Sequence, residues 1–220
     1  MHVKEQPPVL ELETGLLRGA CADGVCSFLG VPYADPPQRF ELSAPRTPWQ
    51  GIRDATQRGP CAPYRVRELP QLDVIPLVGS GSDGSDGDYL LANVWMPEDA
   101  EDAPVMVWVH GGGFVVGSKD APVRDGTQFA KSGVVCIAIN YRLGIDGFLP
   151  VPGAPTNLGL RDILFALRWV QENARAFGGN PGNVTVFGES AGAMAIADLV
   201  TSPLAKGLFR RAIIQSGHGA

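Results

Sequence analysis

The pentapeptide Gly188-Glu189-Ser190-Ala191-Gly192 lies between a β-branched apolar run at 184–187 and an apolar stretch that begins at Ala191. A serine hydroxyl is a weak nucleophile unless a base takes its proton and an acid orients that base. The G-x-S-x-G pattern meets the first demand of such chemistry, a serine on a strained strand-to-helix turn whose hydroxyl projects from the sheet edge. The glycines let strand and helix approach without Cβ clashes. Glycine and serine are common in loops, so the pentapeptide alone is a weak signal. Its position between a strand-like run and an apolar helix favours a nucleophile over a plain turn serine.

A second constellation, His110-Gly111-Gly112-Gly113, follows the apolar run at 105–109. Glycines after a strand expose backbone N–H groups that can hold an anion, and two readings compete. Gly111, Gly113 and Gly117 loosely resemble a dinucleotide fingerprint, but the spacing does not match and no lysine stands in the P-loop position. The alternative is an oxyanion hole, with N–H donors from Gly112, Gly113 and Ala191. The serine turn in the same sheet favours this one. His110 is joined directly to that loop, which suits it to orienting the loop rather than to serving as base.

These residues need a scaffold. Apolar segments at 105–109, 134–140, 184–187 and 212–216 are short and continuous, as expected of strands buried on both faces of a parallel sheet. A helix is expected over 161–177, with Ile163, Leu164, Leu167, Trp169 and Val170 on or near one face, and the segment 177–183 ends it and turns the chain back. Residues 9–33 read as an antiparallel hairpin about Asp23-Gly24. Residues 34–88, rich in proline and glycine, read as surface connections. The sum is an α/β domain over residues 1–220, mostly parallel, with an N-terminal antiparallel hairpin.

Composition narrows the function classes. The chain is 45% hydrophobic and 19% charged, with net charge −5, a globular balance without a basic stripe for nucleic acid. No apolar run approaches the roughly 18 residues that suggest a membrane span, and no signal-peptide core opens the chain. A cytoplasmic location is expected, with no membrane partner. None of the four cysteines forms a C-x-x-C pair, and the aspartates in 79–88 do not have calcium-loop spacing. No metal or organic cofactor is expected. Cys136 suits a core position. Cys21 and Cys26 flank the Asp23-Gly24 turn and could bond across it, but two free thiols are the preferred reading in a reducing compartment.

Taken together, the segments FLGVPYADPP, LLANVWMP, PVMVWVHGGGFVVGS, INYRLGIDGFL, NLGLRDILFALRWVQENARAFGGNP, VTVFGESAGA and GLFRRAIIQSG resemble the type B carboxylesterase and cholinesterase-like family of α/β-hydrolases, in wording closest to bacterial para-nitrobenzyl-esterase-like members. The resemblance implies an α/β-hydrolase fold, of which this is the N-terminal portion, and a serine carboxylesterase acting through an acyl-enzyme on small ester substrates. It implies Ser190 as the acylated nucleophile, and Gly112, Gly113 and Ala191 as the oxyanion hole. Glu189 would make a structural contact rather than act as the triad acid, and Ser216 would lie near the triad.

Three departures from the family pattern stand out. The prolines run almost directly into Arg39-Phe40. Tyr89 stands where many members have a cysteine that pairs near Cys61, leaving Cys61 free. The family's acid and histidine also follow the nucleophile by far more than the 30 residues present after Ser190. The histidines here are His2, His110 and His218, and none has the context of the catalytic base. The isolated chain is therefore expected to be inactive, with acid and base lost or supplied by a separate C-terminal chain. The alternative is a non-catalytic remnant or interaction module.

Overall fold

β-branched runs without polar interruption have only one way to satisfy both faces, which is to lie inside a sheet covered on each side. In the computed structural model, which describes residues 7–66, 70–85 and 87–218, the runs at 105–109, 135–139 and 184–187 do so, whereas the run at 212–216 lies mostly exposed at the sheet edge. The strands are β1 (Val9–Leu12), β2 (Gly15–Arg18), β3 (Ala20–Ala22), β4 (Val25–Pro32), β5 (Ile52–Asp54), β6 (Leu91–Pro97), β7 (Ala103–Val109), β8 (Val135–Ile139), β9 (Gly179–Glu189) and β10 (Arg211–Gln215). The helices are α1 (Ile75–Val78), α2 (Thr127–Lys131), α3 (Gly144–Phe148), α4 (Leu158–Asn173) and α5 (Ala191–Thr201). His2 lies outside the described residues.

The main sheet has seven strands in the order β10-β9-β7-β8-β6-β4-β3. Strands β10, β9, β7 and β8 run parallel, and the sheet continues antiparallel through β6, β4 and β3. The four expected apolar runs form the parallel part. One face packs Val105, Val107, Val109, Ile137, Ile139, Val184 and Val186 against α4 and α5. Trp95, Trp108, Cys136 and Phe187 pack on the other. Strand β10 closes one edge, where Ile213 and Ile214 remain exposed. Among the described residues no helix is long and apolar enough to cross a membrane.

Several elements differ from the sequence expectation. Strand β6, fully buried, is interrupted in sequence by Asn93, whose amide accepts from Gly30 N (3.0 Å) and donates to Asp120 (2.7 Å). The stretch 34–88 contributes β5, which pairs with β2 to make a second sheet beside the β1–β2 hairpin. Helix α4 starts three residues earlier than expected and ends at Asn173, and a 3-10 turn over Ala174–Phe177 followed by the left-handed Gly178 (φ 70°) leads directly into β9.

The preference for free Cys21 and Cys26 is corrected: the structure joins them as a disulfide. The reason is register. With Asp23 and Gly24 at positive φ, β3 and β4 pair so that Cys21 faces Cys26 directly, with Cα atoms 4.0 Å apart. Cys61 and Cys136 are free and buried.

A charged pair buried on both sides, Arg142 and Asp162, sits inside this apolar frame. Asp162 lies on the buried face of α4 and takes three hydrogen bonds from Arg142: backbone N (3.0 Å), Nε (2.7 Å) and Nη2 (2.6 Å). Arg142 Nη1 also donates to the Glu41 carbonyl (2.6 Å), and Ser43 donates to Asp162. Burial disfavours the guanidinium charge, but the bonds to Asp162 and its negative charge win and hold the Arg142 pKa above its ordinary value. Three segments distant in sequence meet at this pair. Asp162→Asn, which leaves the arginine charge uncompensated, is expected to cost about 3–5 kcal/mol in urea unfolding. The Cys21→Ser/Cys26→Ser double variant should lose only about 2 kcal/mol, because the loop it opens is short.

Candidate active site

The serine turn forms where β9 meets α5. Ser190 has φ 54° and ψ −123°, a conformation that L-residues adopt at a cost and that the surrounding contacts must hold. Ser190 N donates to the Gln215 carbonyl of β10 (2.9 Å), and the Ser190 carbonyl accepts the first helical bond from Met194 N (2.9 Å). The flanking glycines are needed for space. A Cβ on Gly188 would stand 2.7 Å from the Val109 carbonyl, and one on Gly192 would strike the Val109 and His110 carbonyls.

The glycine loop is folded against that turn. A Cβ on Gly111 would stand 2.6 Å from the Glu189 carbonyl and 3.2 Å from Ser190 Cβ, so the two constellations share one location. Gly112, Gly113 and Gly117 all have positive φ (116°, 62° and 114°). The loop turns on the Gly112 carbonyl, which accepts from Val115 N and Val116 N. Among the described residues no backbone carbonyl accepts from the N–H groups of Gly112, Gly113 or Ala191. Ala191 is the first residue of α5, where an N–H has no partner within the helix. Such donors beside a serine hydroxyl suit an oxyanion.

His110 is 3% exposed and stacks on Tyr141, with ring centroids 4.4 Å apart. Its Nδ1 donates to the Gly111 carbonyl (2.9 Å), its own carbonyl accepts from Tyr141 Oη (2.7 Å), and Nε2 has no partner among the described residues. Burial pushes its pKa down from 6.5 to about 4, only partly opposed by the bond to Gly111 and by Asp120. The imidazole is thus neutral at pH 7 and spends its donor on the loop.

Glu189 ends β9, directly before the serine. Its carboxylate pairs with Arg124, whose guanidinium lies 4.5 Å over the Trp108 ring. Ser216 follows β10 at φ 53° and is exposed. Its neighbour Gly217 packs closely on Ala193 and Met194 in the first turn of α5, which brings this segment to the serine turn. His218 comes next and is exposed. Among the described residues no group of three or more His, Cys, Asp or Glu side chains is placed to hold a metal ion.

Ser190, Gly112, Gly113, Ala191, His110, Glu189 and the Ser216 segment therefore converge. Sequence reasoning missed Arg124 and Tyr141. Arg124 sits in an irregular segment 65 residues before Glu189, and no local pattern announces it. Tyr141 follows directly on the β8 run, and an aromatic there was the one available hint.

The chain is similar to known proteins over nearly its whole length. A profile of the Carboxylesterase family matches residues 6–220. The chain is 41% identical over 218 residues to the para-nitrobenzyl esterase of Bacillus subtilis (strain 168), and 43% identical over 215 residues to the phenmedipham hydrolase of Pseudarthrobacter oxydans. Each match covers 95% of this chain and 43% of the relative. The chain thus spans less than half the length of these relatives. A solved structure of a PNB esterase superposes with a TM-score of 0.86 at 40% identity, covering 97% of this chain and 44% of that one.

The neutral, buried His110 has a consequence for stability. The unfolded chain binds a proton at this group near pH 6.5, whereas the folded chain binds it only near 4. Its contribution is therefore complete above pH 6.5 and is lost as pH falls toward 4, by about 3 kcal/mol in total. Urea unfolding across this range should show that extra loss in the native protein and not in His110→Gln.

Proposed function

The chain belongs to the carboxylesterase family, and on that premise we propose that it carries the nucleophile and oxyanion half of a serine carboxylesterase site. The observation that supports the reading is the close approach of the glycine loop to the serine turn at Gly111, with no backbone carbonyl accepting from the N–H groups of Gly112, Gly113 or Ala191 among the described residues. Ser190 Oγ attacks the ester carbonyl, and the negative charge that develops on its oxygen is held by the N–H groups of Gly112, Gly113 and Ala191. The alcohol leaves, and water then releases the acid from the acyl-enzyme. Glu189, neutralised by Arg124, is a positioning residue and not the triad acid.

The base is assigned to residues outside 1–220. His110 is neutral, buried and engaged with the loop it adjoins, which is the wrong place from which to take the serine proton. We assign the acid and base to a further stretch or a separate chain that packs along β10, where the edge exposes Ile213 and Ile214. The substrate class is a carboxylic ester.

With a short-chain p-nitrophenyl ester, residues 1–220 alone should turn over no faster than their Ser190→Ala variant. A chimera that joins them to the remaining C-terminal part of the Bacillus relative should be active. Ser190→Ala in it should lower kcat by at least about 10⁴-fold. Robust Ser190-dependent turnover by residues 1–220 alone would overturn the assignment of the base and return it to His110 or His218.

A further inference from the structure

Gly112 and Gly113 have no side chains with which to pack, and both stand at positive φ, so the two ends of their loop must set their direction. The far end is Gly117, also at positive φ, which leads into Ser118, Lys119 and Asp120. A Cβ on Gly117 would collide with the Gly111 carbonyl and the His110 ring. The loop therefore closes on itself, and whatever fixes residue 118 bears on the loop's start as well. Lys119 is wholly buried, and its ammonium donates to the Asp120 carboxylate (2.6 Å) and the Arg58 carbonyl (2.6 Å). Its backbone N donates to Asn140 Oδ1 just past β8 (2.9 Å). Asp120 also accepts from Asn93 of β6 (2.7 Å), and its backbone N donates to Ser118 Oγ (3.0 Å).

Burial pushes the Lys119 pKa down, and the Asp120 carboxylate acts against that shift. An apolar side chain of similar size would fill the same space without the cost of desolvating a charge, so a buried pair is poor evidence of added stability. What this one adds is direction, because its bonds fix 118–120 from β6, from the end of β8 and from residue 58 together. We propose that Lys119 and Asp120 are positioning residues for the oxyanion donors: they hold the far end of the loop against its start and so keep the N–H groups of Gly112 and Gly113 preorganised beside the serine turn. The chemistry of this proposal rests on the carboxylesterase reading, whereas its mechanical part is measurable in residues 1–220 alone. The two partners differ in what their removal leaves behind. Without the ammonium, Asp120 keeps Asn93 and the solvent that reaches 18% of its side chain, so Lys119→Met strands no charge in the core.

The test measures ¹⁵N order parameters of the backbone amides in residues 1–220. In Lys119→Met those of Gly112 and Gly113 should fall from the rigid range of about 0.85 to below about 0.6, while Ala191 on α5 keeps its native value. If Lys119→Met does not fold, Lys119→Met/Asp120→Asn, which leaves neither charge, takes its place with the same expectation. The Cys21→Ser/Cys26→Ser variant is the control, since it lowers stability without touching the loop and should leave both glycines rigid. In the chimera with the Bacillus relative, Lys119→Met should lower kcat about tenfold or more and leave KM nearly unchanged, as expected when donors that act in the transition state lose their aim. Rigid Gly112 and Gly113 in the Lys119 variant, or an equal loss of order in the cysteine control, overturns the proposal, because the pair is then only structural. An active chimera whose kcat does not respond to Lys119→Met overturns it as well. A chimera that is inactive with Lys119 in place counts against the carboxylesterase reading instead, and the order parameters still decide whether the pair positions the loop.

Discussion

The arrangement of this molecule depends on one buried ion pair. Arg142 and Asp162 are each almost wholly excluded from solvent, at 1% and 0% side-chain exposure, yet every bond between them is made in good geometry. Charges in such a place are tolerated only when they are paired and their remaining polar sites are filled. The pair fills them with the Glu41 carbonyl, the Ser43 hydroxyl and the Arg142 backbone. It thereby ties the end of β8, the face of α4 and the segment near residue 42 into a single unit. None of those three could shift without stranding a charge.

That unit reaches the candidate site through two connections. Tyr141, next to Arg142, stacks on His110 and donates to its carbonyl. His110 in turn donates to Gly111, and Gly111 lies against the serine turn. The glycine loop, which has little side-chain mass of its own, is thus held from behind by aromatic packing and two hydrogen bonds. A second connection comes from the loop's far side, where Gly144 N donates to the Phe114 carbonyl (2.7 Å). Preorganised donors stabilise developing charge because they need not reorient when it appears. The tightness of this support is therefore part of the chemistry the site can do.

The opposite edge of the turn is held differently. Ser190 N is fixed by the β10 carbonyl of Gln215, and Glu189 is fixed by Arg124 against Trp108. The strained serine is consequently bounded on one side by a strand that edges the sheet and on the other by a loop anchored in the core. An unusual backbone conformation persists only where its neighbours over-determine it. Here they do so from β7, β10 and α5 together.

Some of this was written in the sequence alone. The continuous β-branched runs, the apolar face of α4, the Asp23-Gly24 turn and the two glycine-rich constellations are local patterns. Local backbone preference and side-chain periodicity determine what such patterns form. The glycines at 188, 192 and 111 also announce that something must approach closely, although not what. The tertiary structure alone decided the approach itself: which carbonyls fill the space a Cβ would take, which residue pairs with Glu189, and that His110 is buried and neutral. It also decided that Asp162, polar in an apolar helix face, finds Arg142. The parallel pairing of β5 with β2 emerged only there, as did the facing register of Cys21 and Cys26, where an argument from compartment had favoured free thiols. Each of these depends on partners tens of residues away or on the register of a pairing. A local pattern carries no information about either until the chain has closed on itself.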